Sequence, residues 1–302
     1  MSYRIAYLGP SGTFTEEALR LLCYEYLAIP KNQNIEMKPK VTIADCLSSC
    51  HKGEVDFSMV PVENSIEGSV NMTLDWLIHK VDLPIQAELI LPISQNAIVH
   101  SHNKAIEWDE VERIVSHPHA IAQCHQFISE HSPKAEIEYM KSTADAVEWV
   151  SKHPETKALA IGTKLAAELN QCVIKCESIE DHDNNFTRFL LVGHHPMAEL
   201  KSAAEKQVGK TTILITLPED YPGALHQVLS AFAWRKLNLT RIESRPTKKG
   251  LGSYFFFIDI EQKMDEVLLP GAISEIEALG CQVRFLGSYP CFFPKMMSKL
   301  PT

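Results

Sequence analysis

The sequence predicts an α/β protein with two domains, and three observations support this prediction. The chain of 302 residues is long enough to bury more than one hydrophobic core. In its first part, short apolar runs alternate with segments of helical periodicity, which is typical of sheets covered by helices. In its second part, the predicted order is strand, helix, strand, strand, helix, strand, which is the ferredoxin-like (βαββαβ) arrangement.

A polar stretch over residues 194–210 indicates where the two parts meet. It contains lysine, glutamate, serine and alanine and follows an apolar run that predicts a strand. We therefore predict a first domain at residues 1–195, a linker at 196–210, a second domain at 211–290 and a C-terminal tail at 291–302.

Strand and helix patterns follow each other along the first domain. Strands are predicted at residues 4–8, 55–60, 85–93, 97–99, 114–116, 158–161 and 189–192, with a further short strand starting at Val41. Helices are predicted at residues 13–26, 44–51, 68–79, 120–129, 143–151 and 163–169. This alternation favours parallel sheets in two lobes of about 95 residues each, with ligands at the carboxyl ends of the strands.

The second domain is predicted from the same two patterns. Strands are expected at residues 211–217, 239–245, 253–260 and 282–286, with a turn at 248–252, and helices at 223–235 and 267–279. Apolar side chains fall on one face of the first helix, at Leu225, Val228, Leu229 and Phe232. The domain carries no evident pair of nucleophile and base, so we interpret it as regulatory.

Composition excludes several classes of function. The net charge is −9 and no cluster of lysine and arginine occurs, which argues against a nucleic-acid partner. No apolar run approaches the roughly 20 residues that cross a bilayer, and the first residues are too polar for a signal peptide. We expect a cytoplasmic protein, no membrane partner, eight cysteines as free thiols and no metal site.

Four polar segments of the first domain lie where strands end or helices begin. They are residues 8–14 (LGPSGTF), 61–70 (PVENSIEGSV), 116–124 (SHPHAIAQC) and 142–146 (STADA). Each allows two interpretations, because Ser, Thr and Asn both cap helices and bind ligands. His117 either binds a carboxylate or bonds to the backbone of a turn. The sequence alone leaves these alternatives open.

The most informative segment is residues 182–193 (HDNNFTRFLLVG). Asn185, Thr187 and Arg188 come directly before or within an apolar run that predicts a buried strand. Amide, hydroxyl and guanidinium groups at the start of a rigid strand are typical of a recognition site.

In the second domain, Arg245 has two interpretations: it either contacts a carboxylate of a ligand or forms an ion pair at the surface.

Taken together and in this order, these segments resemble monofunctional prephenate dehydratases with a C-terminal ACT domain, over nearly the whole chain. The resemblance is carried by residues 9–14, 63–68, 116–120, Asn185 with 187–189, 223–226 and 243–246. It implies a catalytic domain of two lobes like type II periplasmic binding proteins, with the hinge near 85–99 and 179–189. We expect no preceding chorismate mutase helix, because the chain begins at its first strand.

The resemblance implies conversion of prephenate to phenylpyruvate with loss of water and CO₂, without a cofactor. Thr187 matches the family's essential threonine, and we predict that its hydroxyl donates a hydrogen bond to the departing hydroxyl group. Arg188 either binds a substrate carboxylate or braces the hinge through an ion pair. The predicted substrate-binding residues are Asn64, Ser65, Glu67, Ser116, His117, Thr143, Asn185, Arg188 and Phe189.

The ACT resemblance implies feedback inhibition by L-phenylalanine, bound at an interface within a homodimer or homotetramer. The implied effector residues are Gly223, Ala224, Leu225, His226, Asn238, Glu243, Ser244, Arg245 and Pro246. Three alternatives compete with this interpretation: arogenate dehydratase, a solute-binding protein without catalysis and an amino-acid-sensing regulator. The absence of a DNA-binding element argues against the last, and the sequence does not separate prephenate from arogenate.

Overall fold

A computed structural model describes residues 2–30, 35–204, 207–219, 221–247, 254–265 and 267–293. Its strands are β1 Tyr3–Leu8, β2 Ile35–Lys40, β3 Phe57–Asn64, β4 Gly68–Ser69, β5 Ile85–Pro92, β6 Asn96–Val99, β7 Arg113–Ser116, β8 Glu136–Tyr139, β9 Ala158–Gly162, β10 Val173–Cys176, β11 Phe186–Val192, β12 Gly209–Thr216, β13 Leu239–Pro246, β14 Tyr254–Ile260 and β15 Gln282–Phe292. Its helices are α1 Phe14–Leu21, α2 Ile43–His51, α3 Asn71–His79, α4 Pro118–Gln123, α5 His125–His131, α6 Thr143–Lys152, α7 Lys164–Leu169, α8 Ala198–Ala204, α9 Ala224–Ala233 and α10 Leu268–Ala278.

The strands form two sheets, and each lobe of the first domain contributes to a different one. Lobe one contains β1 to β5 with β11, and lobe two contains the five-stranded sheet β10-β6-β9-β7-β8. The chain leaves lobe one after β5 and returns into β11, which lies between β5 and β3. Backbone hydrogen bonds join the two crossings, from Ile93 N to Asn185 O and from Ile179 N to Gln95 O. The predicted α/β class with a two-lobed domain is confirmed.

The sheets are mixed, so the prediction of parallel sheets was wrong. In lobe one, β1 pairs parallel with β2 and β3, but β11 pairs antiparallel with both β3 and β5. In lobe two, β6 pairs antiparallel with β9 and β10. The reason is the connection between lobes: strands that carry the chain across and back must run in opposite directions.

The second domain has the predicted βαββαβ order, with α9 and α10 on one face of its sheet. The other face packs on lobe one, where Leu214, Phe257 and Tyr289 share a core with Leu77 and Ile85. The last strand is longer than predicted and its end pairs parallel with β5. One sheet of ten strands therefore runs through lobe one and the second domain.

The prediction that this strand ends at residue 286 was wrong. The strand continues through Gly287 and Pro290, although both residue types are uncommon inside strands. Gly287 permits the continuation, since a Cβ at this position would lie 2.4 Å from the carbonyl oxygen of Ile85. Of the predicted tail at 291–302, Cys291 and Phe292 belong to β15 and residues 294–302 lie outside the described residues. The predicted turn at 248–252 also lies outside them.

Part of the predicted linker is ordered against lobe one. Residues 198–204 form α8, and Met197 and Leu200 are buried in the core beside α1.

Further differences from the predicted elements concern the ends of helices and the edge strands. Helix 13–26 changes to a π-helical turn at Leu22–Tyr26, and helix 120–129 is divided into α4 and α5. Val41 is an exposed bend after β2.

None of the described helices has both the length and the hydrophobicity that a membrane span requires.

Candidate active site

A cavity of about 420 Å³ lies between the two lobes. One wall is the turn between β1 and α1, and the opposite wall is formed by the starts of α4 and α6. Thr187 and Phe189 on β11 line the part of the cavity nearest the hinge. Polar side chains therefore meet where the strands of both lobes end, as expected for open α/β sheets.

The Thr187 hydroxyl is held with its oxygen as an acceptor. Asn64 Nδ2 donates to Thr187 Oγ1 at 2.9 Å. The orientation of the Asn64 amide is fixed, because Asn64 Oδ1 accepts the backbone N–H groups of Ile66 and Glu67, both at 3.0 Å. The NH₂ group must then face Thr187. With its oxygen accepting from Asn64, Thr187 keeps its own proton to donate into the cavity.

A chain of amide groups joins this threonine to both lobes. Asn64 Nδ2 donates its other hydrogen to Asn185 Oδ1 at 2.8 Å, and Asn185 Nδ2 donates to Gln123 Oε1 at 3.2 Å. Gln123 Nε2 in turn donates to Glu67 Oε1 at 3.3 Å. Because Asn64 and Glu67 belong to lobe one and Gln123 to lobe two, these bonds hold the lobes around Thr187.

Gln123 was not among the predicted site residues. It lies within the segment 116–124 that we singled out, as the last residue of α4. Nothing in the sequence distinguishes it from an ordinary surface glutamine of a short helix, because its partners Asn185 and Glu67 are about 60 residues away in sequence. Its role is evident only in the folded structure, where the two lobes face each other and bring Gln123 to Asn185 and Glu67.

Among the described residues that line the cavity, Glu67 is the one carboxylate, and it is paired with a histidine. Glu67 Oε1 lies 2.7 Å from His119 Nδ1. Burial lowers the pKa of His117, and neighbouring His119 lowers it further against the opposing effect of Glu67. His117 is thus mostly neutral at neutral pH. Among the described residues, no group of three His, Cys, Asp or Glu side chains is arranged to hold a metal ion.

The chain is similar to known proteins over most of its length. The family model for prephenate dehydratase matches residues 5–197, and the model for the ACT domain matches residues 211–277. The chain belongs to the prephenate dehydratase family. Its activity is therefore that of a prephenate dehydratase, with an ACT domain in its C-terminal part.

Individual relatives match over almost their full length. The prephenate dehydratase of Bacillus subtilis (strain 168) is 46% identical over 292 residues, which cover 96% of this chain and 99% of the relative. The crystal structure of prephenate dehydratase from Arthrobacter aurescens in complex with L-Phe is 35% identical with a TM-score of 0.79, covering 95% of this chain and 90% of the other. The structure from Staphylococcus aureus is 27% identical with a TM-score of 0.78, covering 95% and 99%.

In this member of the dehydratase family, most of the predicted site residues line the interlobe cavity. They are Asn64, Glu67, His117, Thr143, Asn185, Thr187 and Phe189. Ser116 does not, because its buried hydroxyl donates to the carbonyl oxygen of Ile161 at 2.6 Å. Ser65 lies outside the cavity as well, with its hydroxyl bonded to Asn184 O and Phe186 N.

Arg188 points to the opposite face of β11 from Thr187, into a cluster of buried charges. Its guanidinium contacts Glu63 at 2.5 Å, Glu88 at 2.6 Å and Asp259 at 2.7 Å. Lys210 completes the cluster by binding Glu88 at 2.7 Å. The structure thus favours an ion-pair role for Arg188 over a contact with the substrate, but the ion pairs do not brace the hinge as one of our two interpretations had expected. Arg188 braces the dehydratase lobe against the ACT domain, since Asp259 and Lys210 lie on β14 and β12.

Three of the residues implied for effector binding, Gly223, Glu243 and Arg245, lie on two different faces of the ACT sheet. Gly223, with a φ of 94°, precedes α9 on the helical face. Glu243 and Arg245 lie on the face toward lobe one, where Glu243 Oε2 accepts from Ser69 Oγ at 2.6 Å and Arg245 contacts Asn71. Glu243 also binds Arg241 and Arg245. In this structure Arg245 forms an ion pair with Glu243 at the interface between lobe one and the ACT domain.

Proposed function

We propose that the interlobe cavity removes water and CO₂ from prephenate and that Thr187 provides the hydrogen bond that eases the departing hydroxyl. The observation that carries this proposal is the fixed Asn64 amide, which donates to the Thr187 oxygen and so leaves the hydroxyl proton of this cavity-lining residue available for donation. The reaction breaks a carbon–oxygen bond, so the enzyme is a carbon–oxygen lyase. Asn64 acts as a positioning residue for Thr187.

The chemistry sets two tasks. Prephenate, a dianion, takes up one proton and yields phenylpyruvate, water and CO₂, and the new aromatic ring supplies the driving force. Threonine is a poor acid, far from the near-neutral pKa that favours general acid catalysis, so its role is to stabilise developing negative charge on the departing oxygen. The proton that completes the water comes from solvent, either directly or through the threonine.

The alternative substrate is arogenate, which carries an ammonium group in place of the side-chain carbonyl oxygen. We expect phenylpyruvate to form from prephenate with a higher kcat/KM than phenylalanine forms from arogenate. Turnover of both substrates by the full chain, without added phenylalanine, tests this. A higher kcat/KM for arogenate would assign the chain to that activity. Tight binding of prephenate without turnover would indicate a solute-binding protein.

We also propose that L-phenylalanine binds the ACT domain and inhibits, in a homodimer or homotetramer. The relative from Arthrobacter aurescens, solved in complex with L-Phe, supports this proposal. The implied contacts remain Gly223, Ala224, Leu225, His226, Asn238, Glu243, Ser244, Arg245 and Pro246. Binding must favour one arrangement of the domains to change the cavity, since an effector shifts only an equilibrium between states it binds unequally.

Titration of phenylalanine into the prephenate assay is expected to lower the rate by about five- to a hundredfold at saturation, the usual range of allosteric coupling. Molecular mass measured by light scattering, with and without phenylalanine, gives the oligomeric state in the same samples. Tyrosine serves as the control amino acid, because it is similar in size but carries a hydroxyl group. Unchanged rate and mass at millimolar phenylalanine would contradict this part of the proposal.

A further inference from the structure

The substrate carries two negative charges, but the cavity offers few positive ones. Among the described residues that line it, Lys141 is the one lysine or arginine, and Glu67 is the one acid. Arg188 is directed away into the cluster with Glu88 and Asp259. Burial lowers the pKa of His117, so this ring adds little positive charge at neutral pH. Lys141 is therefore the permanent cation of the site.

Lys141 is exposed and directly precedes Ser142, the N-cap residue of α6. Within the part of the chain that the structure describes, its ammonium group forms no hydrogen bond or ion pair. Ser142 caps the helix by accepting a hydrogen bond from Asp145 N at 3.0 Å, and Ser142 and Thr143 line the cavity beside Lys141. The start of a helix adds partial positive charge to that of the lysine. The lobe-two end of the cavity is thus suited to a carboxylate.

We propose that Lys141 binds the side-chain carboxylate of prephenate and not the ring carboxylate. This inference rests on the proposed function. The ring carboxylate loses its charge as it leaves as CO₂, so a cation held against it would stabilise the ground state more than the transition state and slow the reaction. The side-chain carboxylate keeps its charge throughout. A cation there binds substrate and transition state equally and costs nothing in rate.

The same placement disfavours arogenate. Its ammonium group lies one carbon away from the side-chain carboxylate, and would therefore approach Lys141 as a like charge. The carbonyl oxygen of prephenate at that position carries no positive charge. Lys141 thus binds the carboxylate common to both substrates but favours the keto acid over the amino acid.

The test compares Lys141→Met, Lys141→Arg and Lys134→Met with the wild-type chain. Lys134 is an exposed lysine of the same lobe that does not line the cavity, so it controls for the loss of one positive charge. For Lys141→Met we expect KM for prephenate to rise about tenfold while kcat stays within about twofold, as for the loss of one charged hydrogen bond that is equal in both states. Lys141→Arg and Lys134→Met should remain within about threefold of wild type.

The product provides the decisive measurement, because phenylpyruvate retains the side-chain carboxylate and has lost the ring carboxylate. Its dissociation constant, measured by calorimetry without turnover, should rise in Lys141→Met by the same factor as KM. Unchanged phenylpyruvate binding, or a fall in kcat with KM unaltered, would overturn the assignment. If the wild-type chain did not turn over prephenate, the proposed function would fail, and the binding comparison would still test Lys141 separately.

Discussion

Thr187→Val is expected to lower kcat for prephenate by about a hundred- to a thousandfold, the usual loss when a preorganised donor to a developing negative charge is removed. Valine has the shape of threonine but lacks the hydroxyl group. The oxygen of Thr187 accepts from Asn64 at 2.9 Å, so its own proton is available for donation to a group in the cavity. Steady-state kinetics with prephenate, together with the melting temperature of the variant, measures the effect.

Thr187→Ser is the matched control for this prediction. Serine keeps the oxygen that accepts from Asn64 Nδ2 and the proton that it directs, so it should retain much of the activity. Valine also leaves one hydrogen of the Asn64 amide without its acceptor, which makes a modest loss of stability expected. Equal kcat for Thr187→Val and the wild-type chain would remove the threonine from the mechanism.

Arg188→Met is expected to reduce the free energy of unfolding by about 3–5 kcal/mol, the usual cost of leaving buried charges without their partner. Burial alone would raise the pKa of Asp259, but Arg188 and Lys210 outweigh it and keep this carboxylate ionised. Asp259 and Glu88 are 1% and 0% exposed, so water cannot replace the lost guanidinium, and Glu88 keeps only its ion pair with Lys210. Thermal and urea unfolding measure the change.

Arg4→Met is the control, because it removes an arginine whose ion pair is exposed. Arg4 contacts Asp56 at 2.8 Å, but the two side chains are 41% and 37% exposed. Loss of such a pair is expected to cost no more than about 1 kcal/mol. Combining Arg188→Met with Asp259→Asn should recover part of the stability, since the second change removes a buried charge. Equal losses for Arg188→Met and Arg4→Met would mean that the cluster contributes little.

The fold class can be predicted from local sequence patterns, whereas the strands at the edges of the sheets cannot. β3 is mostly apolar before Glu63, β11 ends in the apolar run FLLV, and the first helix of the ACT domain has a clear apolar face, so these elements were predictable. The edge strand β2 has the sequence IEMKPK, which is interrupted by a proline and two lysines, and β8 has the sequence EIEY, which alternates but is only four residues long. Their pairing depends on neighbours far along the chain.

The position of Thr187 was predictable, since a polar residue at the start of a buried strand usually serves recognition. The direction of Arg188 was predictable too, because consecutive residues of a strand face opposite sides of the sheet. Glu88 and Asp259 interrupt apolar runs, which signals a buried partner without naming it. Gln123 and Lys141 carry no such signal, because their importance arises only when the lobes face each other.

The pairing of β15 with β5 means that the regulatory module cannot be detached cleanly. A chain cut after residue 204 would lose the strand that covers β5, together with Tyr289 and Phe257 from the core beneath it. The remaining piece would present an open strand edge and an uncovered apolar face, a combination that promotes aggregation. Any domain that replaced the ACT domain would therefore also have to supply a strand that pairs with β5.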